Sequence, residues 1–443
     1  MKKSTVAKPL TVALTIAAAL LMSACGGGGG DAGVGFMPLP NQGGGQPPAG
    51  GGGGGSGNPD PSSPGNPNPG SPGAIHSIGG MVSGLWSPIK LQINDAETVA
   101  VASNGAFRFS TAIASGSAYA VKVSGAPPWQ ECTVANGSGR ASTDIDTVLV
   151  VCNPPQALVS KLAGADDQTA GAVDGKGSLA KFKSPMGVAL NAAGSLVISD
   201  AGNAAIRMLT MDGSVTTLPL NGEAVAEQGH LVVNRDGEMF VAGNWAQRVY
   251  KVFPDGRTLG LGPFFNATGV AMNAAGDLFV LDSATLKITK HGNTGRVETL
   301  ALDASIGAPY GIAVDEAGTL YVTDQQRHRV LKIEDESKVT LLAGSTRGHA
   351  DGVGSAAQFN FPQGIVVGPG GIVYVTDAHT VRAIYPGGTV ITLAGKGEYS
   401  GAADGLGSNA RFFDPSAIAL GPKGELYVTD RLNNSVRKLA ALD

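Results

Sequence analysis

The 443-residue chain is poor in charge, in histidine and cysteine, and in long apolar runs, and each shortage argues against a class of function. Charged residues make up only 15% of it and the formal net charge is −4, so no basic surface is available to bind nucleic acid. The apolar run Leu10–Met22 is shorter than the roughly 20 residues that cross a bilayer. No His-x-x-x-His, cysteine-rich metal spacing or Gly-x-Ser-x-Gly motif occurs. We therefore expect no nucleic-acid partner, no metal or cofactor, and no catalytic residue.

The N-terminus has the order of a secretory signal peptide, which we assign to residues 1–24. A positive region precedes the apolar run Leu10–Met22 and consists of Lys2, Lys3 and Lys8. The segment then reads Leu-Met-Ser-Ala-Cys up to Cys25, and this resembles a bacterial lipoprotein signal with Met22 where leucine is usual. The resemblance implies that Cys25 is lipidated. The alternative is a plain secreted protein in which this cysteine is incidental.

Residues 25–73 hold much of the glycine and proline of the chain, which has 67 and 26 of these residues. A segment made almost entirely of Gly, Pro, Ser and Asn cannot bury enough apolar surface to fold, so we expect a disordered tether. Gly26 and Gly27 carry no acidic inner-membrane retention signal. The lipoprotein resemblance therefore implies an exported protein anchored in the envelope, in the outer membrane.

Residues 74–153 show short alternating apolar and polar runs separated by hairpin-type turns at Asn104-Gly105 and Asn136-Gly137. This pattern predicts a small β-sandwich domain. Cys132 and Cys152 lie on its late strands, and in an exported protein they are expected to form a disulfide, the alternative being two free thiols. The segment resembles the small immunoglobulin-like modules of bacterial surface lipoproteins.

The remainder, residues 156–443, repeats one phrase six times: an apolar strand, a glycine turn, a second apolar strand and then aspartate. Five copies end in aspartate and one in glycine, and these positions are Asp200, Gly243, Asp282, Asp324, Asp377 and Asp430. A period of about 40–53 residues built from short strands is typical of β-propeller blades. The sixth copy lacks a fourth strand, whose text appears instead at Leu158–Ala163. We therefore predict an all-β, six-bladed propeller in which this N-terminal strand completes the last blade.

The wording of the repeat resembles that of NHL-repeat propellers. The phrase is Pro-x-Gly-Ile-Ala-Val-Asp, then Gly-x-Leu-Tyr-Val-Thr-Asp, then Arg/Lys-Val. It is strong in the fourth to sixth copies, which begin at Pro309, Pro362 and Pro415. The resemblance extends over all six copies and is weakest in the second, where Gly229 and His230 replace the start of the phrase. Some six-bladed relatives are metal-dependent lyases, and such an active site would need histidines and carboxylates at the central channel.

Two sets of repeated residues allow a functional and a structural interpretation. Segments beginning Asp-Gly-x-Gly at Asp174, Asp351 and Asp404 could bind a cation, but each supplies one carboxylate where Ca²⁺ needs six or more oxygens. We expect instead a turn, a one-turn helix capped by serine, and a phenylalanine buried between blades. The serines are Ser178, Ser355 and Ser408, and the phenylalanines are Phe182, Phe359 and Phe412.

Basic residues on the third strands form the second set, and they could face one common anion. We expect them instead to pair with the recurring aspartates. The residues are Arg207, Arg248, Lys287, Arg329, Arg382 and Arg437.

The sequence favours a binding head over an enzyme. The residues at the x of Pro-x-Gly, which should line the channel mouth, include no imidazole and are Met186, Gly229, Thr268, Tyr310, Gln363 and Ser416. We expect a monomeric scaffold that binds an unknown protein or glycan through its loop-bearing face. The candidate binding residues are Trp245, Tyr310, Arg347, His349 and Tyr399. A metal-dependent lyase or lactonase acting at the channel, and an envelope spacer without a ligand, are the alternatives.

Overall fold

The computed structural model describes residues 73–225, 228–302, 305–335 and 338–442, and these form an all-β protein with short 3₁₀ turns. The signal peptide, the lipidated Cys25 and all but the last residue of the tether lie outside the described residues. In the part of the chain that is described, no helix is long and apolar enough to cross a membrane.

Two four-stranded sheets form a sandwich at the N-terminal side of the described chain. One sheet consists, in order, of Gly105–Arg108, Ile78–Ser83, Ile145–Cys152 and Cys132–Ala135. The other consists of Glu97–Val101, Ile89–Ile93, Ala118–Gly125 and Ser138–Arg140, and a short pair joins Ile75–His76 to Ile113–Ala114. Alternation along the strands directs Ile78, Leu91, Val148 and Val150 into a shared core, because successive side chains point to opposite faces.

The predicted disulfide between Cys132 and Cys152 is confirmed. The two cysteines are direct register partners on neighbouring antiparallel strands. Cys152 is almost fully buried against the sandwich core, so the bond joins an edge strand to that core.

Six further antiparallel sheets, I to VI in chain order, follow within the described residues. Each contains four main strands, and the first strand of a sheet is the one that contains the repeat's Pro-x-Gly position or lies next to it. Sheet I consists of Gly187–Leu190, Leu196–Asp200, Ala205–Leu209 and Ser214–Leu218, and sheet II of Leu231–Val233, Met239–Gly243, Arg248–Val252 and Arg257–Leu261. Sheet III consists of Ala267–Met272, Leu278–Asp282, Lys287–His291 and Val297–Ala301, and sheet IV of Pro309–Val314, Leu320–Asp324, Arg329–Glu334 and Lys338–Ala343. Sheet V consists of Pro362–Val367, Val373–Asp377, Thr380–Ile384 and Thr389–Gly395, and sheet VI of Pro415–Leu420, Leu426–Asp430, Ser435–Ala440 and Leu158–Ala163.

Short elements surround these strands. Sheets I, II, V and VI each have an additional two-residue strand at the outer edge. In this order, the strands are Gly175–Lys176, Asn221–Gly222, Gly352–Val353 and Gly405–Leu406. A separate short pair joins Thr346–Arg347 to Gln358–Phe359. The 3₁₀ turns are Gly177–Leu179, Ala201–Asn203, Asn244–Ala246, Gly354–Ala356, Pro369–Gly371, Gly407–Asn409 and Arg431–Asn433.

The N-terminal strand of this region pairs with the C-terminal one, as the repeat pattern predicted. Leu158–Ala163 runs antiparallel to Ser435–Ala440, with Leu158 opposite Ala440 and Val159 opposite Leu439. The pairing supplies sheet VI with its fourth strand. Without it, the backbone groups of Ser435–Ala440 on that side would have no strand partner.

One residue of each second strand packs against the next sheet. Tyr321 of sheet IV lies in a cluster with Val373 of sheet V, and Tyr427 of sheet VI lies in a cluster with Leu196 of sheet I. All members of this column are buried, and they are Val197, Phe240, Phe279, Tyr321, Tyr374 and Tyr427. A four-stranded sheet exposes two faces, so this repeated contact is what buries them.

The recurring arginines of sheets I, V and VI are buried in ion pairs and do not face a common anion. Arg207 bridges Asp200 and Asp174, each at 2.7 Å, and its guanidinium lies 5.1 Å from the ring centre of Phe182. Arg382 and Arg437 repeat this arrangement with Asp377 and Asp351, and with Asp430 and Asp404. Burial raises the pKa of the inner carboxyls Asp377 and Asp430, and the facing guanidinium partly offsets this. In sheet IV, Arg329 pairs with Asp324, as predicted, whereas in sheet II Arg248 pairs with Glu223 because Gly243 stands at the aspartate position. The pairing with the recurring aspartates is therefore confirmed for sheets I, IV, V and VI, and the predicted burial of the three phenylalanines is confirmed.

The predicted serine caps are wrong. Ser178 lies inside the 3₁₀ turn Gly177–Leu179, and the residue before that turn makes no side-chain cap. The turn begins one residue early because Gly177 adopts a φ of 59°, which glycine tolerates without a steric penalty. Ser355 and Ser408 occupy the same place in Gly354–Ala356 and Gly407–Asn409.

Candidate binding site at the channel mouth

A cavity of about 270 Å³ is lined by the first strands of all six sheets, and we call it the channel. Its wall is aliphatic along most of its length, because each first strand contributes several apolar side chains. Representative lining residues are Leu190, Val232, Met272, Val314, Val367 and Leu420. The repeat therefore builds an apolar channel, because each first strand lines it with consecutive apolar residues.

The Pro-x-Gly positions bring a polar group of side chains together where the first strands begin, and we call this end the channel mouth. The hydroxyl of Ser416 lies 3.7 Å from the sulfur of Met186, which links sheets VI and I. The hydroxyl of Thr268 donates to the Pro309 carbonyl at 3.4 Å, which links sheets III and IV. Five of the six predicted mouth positions carry side chains, and four of these are buried: Met186, Thr268, Gln363 and Ser416.

His230, one position from the predicted mouth residue Gly229, lines the channel and is 8% exposed. Burial lowers its pKa to about 4, and a hydrogen bond to the Ser416 backbone carbonyl partly opposes this. The imidazole is therefore neutral near pH 7. Its Nε2 atom is buried and has no hydrogen-bond partner among the described residues.

Tyr310 completes the centre of the mouth. Its ring meets that of His230 edge to face, with 5.2 Å between centroids and 86° between planes. The Asn244 side chain hydrogen-bonds to the Tyr310 hydroxyl, while burial, the larger effect, raises the tyrosine pKa to about 12. Since the buried Oδ1 of Asn244 has no partner in the described chain, its amide nitrogen makes this contact.

An ion pair borders the mouth on the side of sheets V and VI. Asp414 is paired with Arg431 and also accepts a hydrogen bond from the Gln363 amide. Its backbone N–H donates to Nδ1 of His379 at 3.4 Å. Sequence reasoning missed Asp414 and Arg431, although Asp414 directly precedes the Pro415 that opens the sixth repeat phrase.

Arg347 and His349 lie in the segment between sheets IV and V, and Tyr399 lies in the loop between sheets V and VI. The guanidinium of Arg347 lies 5.4 Å from the ring centre of Phe361 and donates to Asn360. The imidazole of His349 occupies the space that a side chain at Gly397 would need. Tyr399 is 53% exposed, and the Lys396 ammonium lies 4.7 Å from its ring centre.

Trp245 lies in the 3₁₀ turn Asn244–Ala246, between the second and third strands of sheet II. The histidines His328 and His379 are separately held. The ring of His328 packs edge to face on Phe361 at 4.9 Å, and that of His379 packs on Phe413 at 5.8 Å. In the described ranges, no three histidine, cysteine, aspartate or glutamate side chains lie close enough to hold a metal ion.

The sandwich contacts the sheets at the end opposite the mouth. In sheet V, Pro362 pairs with Asp377 at the mouth end, and Val367 pairs with Val373 at the other. Tyr374, next to Val373, receives a hydrogen bond from the indole nitrogen of Trp129 at 3.2 Å. The contact between the sandwich and sheet V is therefore separated from the mouth by the length of a strand.

No model of a known protein family matches the chain. Over 288 residues it is 26% identical to Protein SUPPRESSOR OF QUENCHING 1, chloroplastic, of Arabidopsis thaliana, a match that covers 60% of this chain and 26% of that protein. Over 286 residues it is 24% identical to Teneurin-m of Drosophila melanogaster, covering 61% of this chain and 10% of that protein. The matches thus cover about a quarter or less of these relatives.

Solved structures resemble the chain over most of its length. A protein of unknown function from Bacteroides thetaiotaomicron matches with a TM-score of 0.57 at 19% identity, covering 84% of this chain and 99% of that one. An auxiliary nutrient binding protein from the same organism matches with a TM-score of 0.56 at 16% identity, covering 82% and 97%. At these identities the likeness shows the fold alone, which is all-β and of propeller type.

Proposed function

We propose that the six sheets close into one six-bladed, NHL-type propeller, carried behind an immunoglobulin-like module on an exported, lipid-anchored chain, and that its mouth-bearing face binds a protein or glycan of the cell envelope. The closure is supported by the strand that Leu158–Ala163 contributes to sheet VI and by the packing of Tyr427 on sheet I. The anchor at Cys25 is inferred from the sequence alone.

The observation that carries the binding proposal is the position of the sandwich. Its contact through Trp129 lies at the end of sheet V away from the mouth, so this contact leaves the mouth and the loops around it uncovered. A binding face must be left uncovered in this way, whereas a spacer need not be.

The exposed chemistry of the face supports a macromolecular ligand. Phe361 is 45% exposed beside Arg347, and Tyr399 stands out beside Lys396. Aromatic and arginine side chains on rigid loops are the groups that dominate protein interfaces, because they bury much area at little entropic cost. A likeness in fold to an auxiliary nutrient binding protein agrees with a binding role.

We propose binding rather than metal-dependent catalysis. Asp414, the carboxylate at the mouth, is engaged by Arg431 and Gln363, so its oxygens are committed to protein partners. The head is proposed to act as a monomer.

The test is a binding screen of the full chain against envelope glycans and envelope protein fractions. A double variant, Arg347→Ala with Tyr399→Ala, removes two exposed side chains of the face. Leu259→Ala, an exposed residue on the fourth strand of sheet II, is the matched control. We expect the double variant to lose at least tenfold in affinity and the control to bind as the native chain does. Equal binding by all three would refute the proposed face.

A further inference from the structure

Two histidines on the mouth side each contact the loop that leads into the following sheet. His328 directly precedes the third strand of sheet IV, and its Nδ1 accepts a hydrogen bond from the backbone N–H of Phe361 at 3.3 Å. His379 directly precedes the third strand of sheet V, and its Nδ1 accepts from the backbone N–H of Asp414 at 3.4 Å. Each ring also packs edge to face on a phenylalanine of the loop that it contacts, Phe361 or Phe413. The repeat thus places the same contact at two consecutive junctions between sheets.

The next junction, between sheets VI and I, has the same contact without a titratable group. Asn434 directly precedes the third strand of sheet VI, and its Oδ1 accepts from the backbone N–H of Ser184 at 2.9 Å. The three donor residues share an uncommon backbone conformation, with a φ of 56° at Phe361 and Asp414 and of 47° at Ser184. Residues other than glycine stay in this region only where their surroundings hold them there. The side-chain acceptor is therefore part of what fixes each loop.

A proton on the imidazole ends this contact. A neutral imidazole can accept at Nδ1 when its proton is on Nε2, whereas both nitrogens are donors in the charged ring. After protonation, Nδ1 and the backbone N–H of the loop are both donors, so the loop loses its acceptor. The amide of Asn434 does not titrate, so its contact with Ser184 is insensitive to pH.

The surroundings of His328 oppose its charged form. Burial is the largest cause that lowers its pKa, the Arg347 guanidinium lowers the pKa further, and the Asp324 carboxylate opposes both. Asp324 is already paired with Arg329. The Arg347 guanidinium lies 5.4 Å from the ring centre of Phe361, so a charged His328 puts a second cation beside this loop.

The surroundings of His379 include a carboxylate that its charged form could attract. Burial again lowers its pKa most, while the Asp414 carboxylate and the Ala378 backbone oppose this. Asp414 is paired with Arg431 at the border of the mouth. His349 faces His379 from the preceding loop, and the charge of His379 lowers the pKa of His349. A charged His379 would therefore compete with Arg431 for Asp414 and loosen that ion pair.

We infer that His328 and His379 are two pH-sensitive latches, which hold the loops entering sheets V and VI while Nδ1 is unprotonated and release them when the rings take up a proton. The held state binds the proton less readily than an ordinary histidine with a pKa of about 6.5, so falling pH favours release. Phe361 belongs to the proposed binding face and Asp414 borders it, so ligand binding weakens as the loops are released. This consequence for binding rests on the proposed function, whereas the release itself does not.

The test is hydrogen exchange of the full chain, followed by mass spectrometry at pH 7.5 and pH 5.0 and expressed as protection factors, which remove the intrinsic pH dependence of exchange. The reporters are the N–H groups of Phe361 and Asp414, and the reference is that of Ser184. We expect protection at both reporters, relative to Ser184, to fall at least tenfold at pH 5.0. The ratio cancels any loss of stability common to the whole chain, such as that due to His230. A ratio that does not change with pH would overturn the inference.

The matched variant is His328→Asn with His379→Asn, which gives both junctions the side chain that Asn434 supplies to the third. It keeps an acceptor and removes the titration, so the ratio should stay within twofold between the two pH values. A tenfold fall that persists in this variant would overturn the inference, because another group would then control the loops. The comparison on the native chain needs no variant and stands even if the double variant fails to fold. Exchange needs no ligand, so a failed binding screen refutes the proposed face alone, and an unchanged ratio refutes the latches alone.

Discussion

The indole nitrogen of Trp129 donates to the hydroxyl oxygen of Tyr374 over 3.2 Å, and both rings are almost fully buried. The Tyr385 hydroxyl donates to the Pro128 carbonyl beside them at 3.4 Å. Trp129 holds this place with a backbone φ of 73°, an uncommon conformation for a residue other than glycine. One residue of the sandwich is thus inserted into the core of sheets V and VI and fixes how the two parts meet.

Removing that side chain should loosen the joint. Trp129→Ala leaves a cavity lined by Tyr374 and Tyr385 and should cost about 3–5 kcal/mol, the usual range for a buried tryptophan. We expect faster proteolysis at residues 153–156 and a larger radius of gyration in solution scattering. Trp86→Ala, a partly exposed tryptophan of the sandwich, is the control. Equal protease resistance in the two variants would mean that Trp129 does not hold the joint.

The buried ion pairs should matter unequally. Asp377→Ala leaves the fully buried guanidinium of Arg382 with one carboxylate fewer and should destabilise the protein by about 3–5 kcal/mol. Asp351→Ala should destabilise the protein clearly less, because the Asp351 side chain is 36% exposed and water can replace it as a partner of Arg382. Urea unfolding measures both, with Asp212→Ala at an exposed pair as control. Equal losses for Asp377 and Asp351 would contradict this ranking.

His230 should make stability depend on pH. Its pKa is about 4 in the folded protein and about 6.5 when unfolded, so between these values the unfolded chain binds the extra proton. The free energy of unfolding therefore decreases as pH falls from about 6.5 towards 4, and the decrease due to His230 is about 2 kcal/mol between pH 7 and pH 5.

The measurement for His230 is the difference in unfolding free energy between the native chain and His230→Gln at pH 7 and pH 5. Subtraction removes the other titrating groups, among them the buried aspartates. A difference that does not change with pH would show that His230 titrates normally in the folded state.

The disulfide should stabilise the sandwich separately from the sheets. Joining Cys132 to Cys152 closes a loop of about 20 residues and is expected to contribute about 3 kcal/mol. A reducing agent should lower the melting temperature of the sandwich, and the double variant Cys132→Ala, Cys152→Ala should show no further response to it. An unchanged melting curve on complete reduction would contradict this.

Much of the fold could be predicted from the periodicity of the sequence. The column that ends at Tyr427, the pairing of Leu158–Ala163 and the Arg–Asp contacts all follow from repeat register, because equivalent residues meet equivalent neighbours. The serine caps failed, since the left-handed glycine before each serine shifts the turn by one residue.

The contacts that repeat register does not specify were not predictable. Trp129 belongs to the sandwich and Tyr374 to sheet V, 245 residues further along the chain, so no sequence spacing predicts their contact. At the mouth, Tyr310 was predicted from its position, but its contact with His230 across the channel depends on how the sheets are arranged around it. The unpaired Nε2 of His230 is likewise a property of the assembled cavity and not of any motif.

Hydrogen exchange of Leu158–Ala163 tests the closed ring, on which the mouth, the channel and the binding face all depend. The matched reference is Lys338–Ala343, the fourth strand of sheet IV, which lies within one continuous repeat. The account predicts comparable protection in the two strands, because both complete a four-stranded sheet. Fast exchange throughout Leu158–Ala163, with Lys338–Ala343 still protected, would contradict it.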